Sequence, residues 1–277
     1  SNLKQQLSQN YKVTGFDKLS SNNTDVNIDV RDVSVIAKLQ KYAPDVIIHC
    51  AAQKNLIECE TNPEYFNSNV NSTYYVCEYA KQHKSKVVLV SSDVVFDGIN
   101  GGYSEKSIPH PINNYGLWKQ LSENITLFAK NNCVVRTAMV FGDQYIPPKF
   151  YLRPLTNQSF FPQYVINRVR RDMKTKLTIN VISNPTPIDL LCNIIKKVII
   201  MDARGIFHAC PTFSMSRFEF GKKICQIKGL DERLIVPFRQ DAGIRPLNLA
   251  LDSANTLSKL KIKFTLSDFK RAIVSIN

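Results

Sequence analysis

The segments VSSDVVFDG (90–98) and YGLWK (115–119) hold the side chains best suited to moving a proton. Tyr115 and Lys119 are four residues apart in a stretch with helical patterning, so they share one helix face. Ser91 and Ser92 close the apolar run KVVLVSS, which reads as a buried strand. Open α/β sheets gather their ligands at the carboxyl ends of such strands. A hydroxyl, a phenol and an ammonium converging there suit proton delivery to a carbonyl. Tyrosine, with a reference pKa near ~10, exchanges protons poorly at neutral pH, and a nearby ammonium favours the phenolate and lowers that value. Lowering it by ~3 units takes about 4 kcal/mol of differential electrostatics. YxxxK alone is common, and a surface pair on a helix would also produce it. The serine-ended strand upstream turns the balance toward function.

The elements that must position these residues alternate along the first half. LKQQLSQN reads as a helix, YKVTGFD as a strand ending in an acid, VSVIAKLQKY as an amphipathic helix and DVIIHCAA as an apolar strand. A helix over 64–82 leads to KVVLVSS, and a long helix over 114–130 leads to the buried strand CVVRTAMVFG. Continuous apolar strands separated by helices are the pattern of a parallel sheet covered on both faces. The fold class expected is α/β, a doubly wound, Rossmann-like parallel sheet with a small C-terminal lobe. The pattern breaks after Gly142, where Pro147, Pro148, Pro154 and Pro162 suggest an excursion off the sheet. A helix over 188–201, a strand GIFHA and a helix SRFEFGKKICQIKG with a glycine stop come after it.

The chain has 277 residues, 44% hydrophobic and 21% charged, which argues against intrinsic disorder. It has no apolar run long enough to span a membrane, and SNLKQQLSQN shows no apolar h-region or cleavage signature, so secretion is not expected. Seven scattered cysteines without a CxxC pair suit buried, reduced thiols in a reducing compartment, taken as the cytoplasm. Four histidines show no ligand spacing with them, so no metal site is expected. The net charge of +13 is uneven: residues 1–144 carry 14 Lys/Arg and 14 Asp/Glu, residues 145–277 carry 22 and 9. A polyanion, a diphosphate-bearing small molecule or a merely solvated surface would each account for it. No aromatic–basic interleaving marks a nucleic-acid interface.

The chain resembles the dTDP-4-dehydrorhamnose reductase family of the extended short-chain dehydrogenase/reductase superfamily. PDVIIHCAA, CETNPE, SSDVVFDG, GGYSEKSIPHPINNYGLWKQLSE, VVRTAMVFG, NPTPIDL, GIFHA, SRFEFGKKI and IRPLNLALDSANTL fall in the order that family shows. VFDG, then Y-x-E and P-x-P-x-N-x-YG, is the specific part. The resemblance implies NAD(P)H-dependent reduction of the C4 keto group of a nucleotide-diphosphate 4-keto-6-deoxysugar, a step of dTDP-rhamnose biosynthesis. It implies NADPH or NADH as cofactor and a nucleotide-sugar substrate, and it leaves a homodimer open.

By the same resemblance, Ser92 holds the substrate carbonyl, Tyr115 donates the proton, and Lys119 lowers the Tyr115 pKa and binds the nicotinamide ribose. Cys50, Ala51 and Ala52 run beside the cofactor, and Asn69 matches an asparagine kept near the site. Asp17 closes a strand where an acid would hold the adenosine ribose, although an aspartate there is also a common turn residue. Asp29 and Val30 match an adenine-contacting pair. Asp93, Arg217 and Arg245 fall on the substrate side. The two guanidinium groups suit a diphosphate, and surface salt bridges are the competing explanation. Residues 1–144, completed by about 178–201, form the expected dinucleotide-binding domain. About 145–177 and 202–277 form the expected substrate lobe.

Departures from the family pattern stand at Lys54, Leu56, Ile57, Val94 and Met139, close to where the family holds its sugar. Trp118 and Ser122 replace small residues, a change of packing. SNLKQQL resembles the segment just after the family's Gly-rich turn, so a first strand and that turn, about 10–15 residues, are expected upstream. A regulatory reading also stands: the methionine adenosyltransferase beta subunit shares VFDG and YGxxK, binds dinucleotide and acts on a partner without catalysis. Another sugar-nucleotide epimerase or dehydratase is a further alternative.

Overall fold

The computed structural model describes residues 2–21, 24–142 and 161–276. The chain opens with α1 (Asn2–Leu7) and two short strands, β1 (Phe16–Asp17) and β2 (Val26–Asn27), that pair in parallel as a sheet of their own. Next come α2 (Val35–Tyr42), β3 (Val46–His49), α3 (Leu56–Thr61), a π-helical turn (Asn67–Asn71) and α4 (Ser72–His83). Then come β4 (Lys86–Ser92), a 3-10 turn (Asp93–Val95), α5 (Asn114–Leu127), β5 (Cys133–Thr137) and β6 (Val140–Phe141). Further on lie α6 (Phe161–Val169), β7 (Thr175–Thr178), β8 (Ile182–Ser183), β9 (Thr186–Pro187), α7 (Ile188–Ile200) and β10 (Gly205–Ala209). β11 (Met215–Ser216), α8 (Arg217–Lys228), β12 (Ile235–Phe238), α9 (Ala254–Lys259) and α10 (Leu266–Val274) complete the described chain.

The fold is the expected α/β arrangement with a parallel sheet. Its main sheet runs β10-β5-β4-β3, with β3 parallel to β4 and Val46 opposite Lys86. Val87, Val88 and Leu89 in β4 and Val134 and Val135 in β5 are wholly buried, as continuous apolar strands between two helical layers should be. Three expectations need adjustment. The strand over YKVTGFD forms only at Phe16–Asp17. The helix over 64–82 begins as the π-helical turn, because the chain around Asn67–Asn71 carries one residue too many per turn for an α-helix. CVVRTAMVFG breaks into β5 and β6 at Met139, whose φ of 38° lies in the left-handed region. No helix among the described residues is long and apolar enough to cross a membrane.

The chain forms two compact units: Ser1–Val95, Pro109–Arg136 and Cys192–Phe207 in one, Phe96–Ile108, Thr137–Leu191 and His208–Asn277 in the other. In the first, Val26, Ile28, Val35, Leu39, Val76, Tyr79 and Val87 form one core cluster. In the second, Phe141, Phe161, Phe220 and Phe269 are wholly or almost wholly buried, with Phe161 stacked on Phe220 at 5.2 Å. These units divide the chain differently from the expected 1–144 completed by about 178–201 and the expected lobe of about 145–177 and 202–277. The reason is backbone pairing: Asn248 N donates to Gly98 O (2.8 Å) and Tyr103 N to Ala250 O (3.0 Å), so the loop after β4 belongs with the C-terminal segment. Gly98 itself has φ +74° and no room for a side chain, since a Cβ would stand 2.4 Å from Pro246 Cβ. Of the expected excursion, Pro147, Pro148 and Pro154 lie outside the described residues, and Pro162 sits in the first turn of α6.

Candidate active site

α5 is anchored at its start by the residues that make up the P-x-N-x-YG motif. Asn113 caps the helix, its side-chain oxygen accepting from Gly116 N at 2.8 Å. Gly116 touches the turn after β4: a Cβ there would lie 2.3 Å from Val94 O. Only glycine allows this approach, and the approach sets Tyr115 beside the end of β4. The Tyr115 ring is buried in a cluster with Leu56, Cys59, Val70 and Trp118, and Trp118 meets Phe66 edge-on at 6.1 Å.

The structure brings Ser92, Tyr115 and Lys119 together. Ser92 stands near enough to the Tyr115 phenol to favour its ionised form. Ser92 Oγ donates to Asp93 Oδ1 (3.0 Å) and accepts from Val94 N (3.3 Å). Lys119, only 2% exposed, donates from Nζ to Val90 O at 2.8 Å, two residues before Ser92 on the same strand. Burial pulls the Lys119 pKa down to about 8, against the opposing pull of Glu123 and Cys50. Burial together with Lys119 pulls His49 down to about 3, so the imidazole is neutral; its Nε2 lies 3.2 Å from Ser72 Oγ.

The phenol behaves differently from the expectation. Burial raises the Tyr115 pKa, Asp93 and Cys59 push the same way, and only Ser92 opposes them. The expected lowering by Lys119 is therefore corrected for the chain by itself: desolvation of the phenolate outweighs what the neighbouring groups offer.

Cys50, Ala51 and Ala52 continue from the end of β3, with Cys50 and Ala52 exposed and Ala51 half-buried. Asn69, 1% exposed, lies on the π-helical turn and bonds the loop beyond them, donating from Nδ2 to Gln53 O (3.2 Å) and Tyr65 O (3.0 Å). Ser122 Oγ of α5 donates to Asn69 O at 2.6 Å, which ties that turn to the helix carrying Tyr115. Asp17 and the Asp29–Val30 pair form a separate group beyond β1 and β2. Asp17 is exposed at the end of β1, Oδ1 accepting from Leu19 N (2.9 Å). Arg31 grips the Asp29 carboxylate with Nε and Nη2 and holds its pKa below the usual range, while Val30 packs on the core. Arg217 and Arg245 both belong to the second unit; Arg217 is buried as the first residue of α8 and Arg245 is half-buried beside Pro246.

Sequence reasoning missed a buried ionic group beneath the site. Glu123 and Arg136 pair at 2.7 Å, 2% and 1% exposed, and Ser91 Oγ donates to Glu123 Oε1 at 2.5 Å. The signal was present: an arginine in the otherwise apolar run CVVRT, and a glutamate one helical turn beyond Lys119.

The family model described as the RmlD substrate binding domain matches residues 1–276. The chain belongs to this family. Among RmlD-type relatives, the dTDP-4-dehydrorhamnose reductase of Aggregatibacter actinomycetemcomitans is 25% identical over 281 residues, covering 94% of this chain and 90% of that protein. The Bacillus anthracis dTDP-4-dehydrorhamnose reductase, solved in complex with NADP, is similar in structure with a TM-score of 0.84, at 25% identity, over 99% of this chain and 92% of that one. Methionine adenosyltransferase 2 subunit beta of Xenopus laevis is 38% identical over 116 residues, a match that spans 40% of this chain and about a third (34%) of that relative's length.

Proposed function

We propose that this RmlD-family chain is an NAD(P)H-dependent oxidoreductase that reduces the C4 keto group of a nucleotide-diphosphate 4-keto-6-deoxysugar, as in dTDP-rhamnose biosynthesis. The observation that carries the reading is the placing of Tyr115 and a buried Lys119 against the serine-ended strand β4, with Lys119 Nζ donating to Val90 O at 2.8 Å.

The residues fit a nicotinamide cofactor. Val90 O engages one of the three ammonium protons of Lys119, and the others can meet ribose hydroxyls. Asn69 Oδ1 is buried without a hydrogen-bond partner, an acceptor suited to a ligand donor. The exposed carboxylate of Asp17 suits the adenosine ribose, with Asp29 and Val30 toward the adenine and Cys50, Ala51 and Ala52 along the cofactor's path. When bound, NADH or NADPH supplies the hydride.

The protein's own residues supply the rest. Ser92 donates a hydrogen bond to the substrate carbonyl and, with Asp93, orients the sugar. Burial keeps the Tyr115 phenol protonated at neutral pH, which is the form a proton donor needs. As the carbonyl oxygen gains negative charge, Tyr115 gives it that proton, and the Lys119 ammonium on the same helix face offsets the charge left on the phenolate. In this reading the first unit holds the dinucleotide and the basic second unit, through Arg217 and Arg245, holds the diphosphate. Seven free cysteines suit the cytoplasm, and the protein works as a monomer or a homodimer without nucleic acid or membrane.

The match to a methionine adenosyltransferase beta subunit favours a second reading, a dinucleotide-binding regulatory subunit. Monitoring NADPH oxidation with a 4-keto sugar generated by a dehydratase separates the two. Turnover lost in Tyr115→Phe supports the enzyme; tight NADPH binding without turnover supports the regulator.

A further inference from the structure

Four contacts converge on the stretch where β4 meets α5. Lys119 donates to Val90 O, Ser91 donates to Glu123, Ser92 meets Tyr115, and Glu123 pairs with Arg136 of β5. Val90, Ser91 and Ser92 are consecutive, and Lys119 and Glu123 are one turn apart on α5. The carboxylate is fully engaged: Oε1 takes Ser91 Oγ (2.5 Å) and Arg136 Nε (3.0 Å), and Oε2 takes Arg136 Nη2 (2.7 Å) and Nε (3.2 Å). A buried ion pair contributes little net stability compared with apolar residues of the same size, so its presence under Ser92 calls for another role.

We propose that Glu123 is a positioning residue of this site: by gripping Ser91 and Arg136 together it fixes the end of β4 against α5, and so sets the places of Ser92 and Lys119. The proposal rests on the roles assigned to Ser92 and Lys119 above.

A second consequence is electrostatic. The titratable or charged groups around Lys119 are Glu123 on its own helix and His49 and Cys50 at the end of β3, while Asp93 and Cys59 act on Tyr115. Among the neighbours of Lys119, Glu123 is the group that acts first against the effect of burial. Removing its charge therefore lets the Lys119 pKa fall further.

Three variants of the intact protein test this. Glu123→Asp keeps the charge but is one methylene too short to reach Ser91 and Arg136 at once. Glu123→Gln keeps the length and loses the charge. Glu123→Gln with Arg136→Met also removes the buried cation, so the neutral pair folds where the single change leaves an unpaired charge. Lys119 is read without cofactor by NMR of Cε-labelled lysine, its signal assigned by its loss in Lys119→Met. NADPH affinity is read by fluorescence, and kcat and KM by NADPH oxidation.

The expected results are specific. In Glu123→Asp the Lys119 midpoint stays near that of the unsubstituted protein while kcat falls on the order of tenfold to a hundredfold with KM little changed, the cost of a small misplacement. In the double variant the midpoint moves down, and NADPH binding weakens at pH 8 more than at pH 6. Full kcat in Glu123→Asp, or an unmoved midpoint in the double variant, overturns the proposal. A protein that folds and binds NADPH but oxidises none overturns the reductase reading instead, and the Lys119 midpoint still decides this one.

Discussion

Tyr115 and Lys119 are both driven by burial toward their neutral forms, and this has opposite consequences for the two. In the proposed mechanism the neutral phenol of Tyr115 is the proton donor, so Tyr115→Phe removes the donor and leaves the ring's packing with Leu56 and Trp118 in place. A loss of ~10²–10⁴ in kcat with NADPH affinity within a fewfold of wild type is the expected outcome, measured by steady-state NADPH oxidation and fluorescence titration. For Lys119 the proposed mechanism uses the charged form, which burial holds at a cost. Its pKa is about 8 in the folded protein against 10.5 ordinarily, so between those values the unfolded chain binds more protons and stability rises with pH. Below pH 8 the whole penalty applies, about 3 kcal/mol. Urea unfolding of Lys119→Met beside the unsubstituted protein should show a stability difference in favour of the variant that is largest near pH 7 and shrinks by pH 10. That both residues lie on one helix face against a serine-ended strand was legible from YGLWK and KVVLVSS. The direction of the Tyr115 shift was not, because desolvation depends on Cys59, Val70 and Trp118, which only the folded packing brings around the ring.

Among the elements, α5 and β4 hold the candidate site, and Gly116 of α5 packs against the turn that follows β4. Gly116→Ala would place a methyl group 2.3 Å from Val94 O, a backbone atom that cannot swing aside. The expected cost is about 1–3 kcal/mol, seen as a lower thermal midpoint, together with lower kcat as Tyr115 moves away from Ser92. Arg136→Ala is the harsher change, since it leaves the Glu123 carboxylate buried without its partner. About 3–5 kcal/mol of stability should be lost by denaturant titration. The strands were readable where apolar residues run without interruption, as in VIIH and KVVLVSS, and GIFHA forms at the residues expected. Reading failed where a local backbone feature overrides the pattern. The helix over 64–82 starts as a π-helical turn, and the run through Ala138 stops at a left-handed Met139, neither of which leaves a periodicity in the sequence.

Across the whole molecule the charge excess lies in residues 145–277, most of which belong to the second unit. If that unit holds an anionic nucleotide sugar, Arg245→Ala raises the substrate KM severalfold and leaves NADPH affinity unchanged. The substrate KM of the unsubstituted protein should also climb between ~20 mM and ~200 mM salt, where the Debye length contracts. Kinetics at two ionic strengths check both. The charge division was plain in the sequence, but the division into units was not, because FDG (96–98) joins the second unit through a hydrogen bond from Asn248, 150 positions away, to Gly98. The first unit is thus written in three separate stretches, the last of them Cys192–Phe207. That order matters on the ribosome. β5 emerges long before β10, its partner on one side of the sheet. At ~5–20 residues per second the nascent chain holds an unpaired β5 edge, with Val134 and Val135, for on the order of ten seconds. A message truncated between α7 and β10 would make that interval permanent, yielding a chain that keeps its Ser92, Tyr115 and Lys119 yet engages chaperones and proteases instead of closing its sheet.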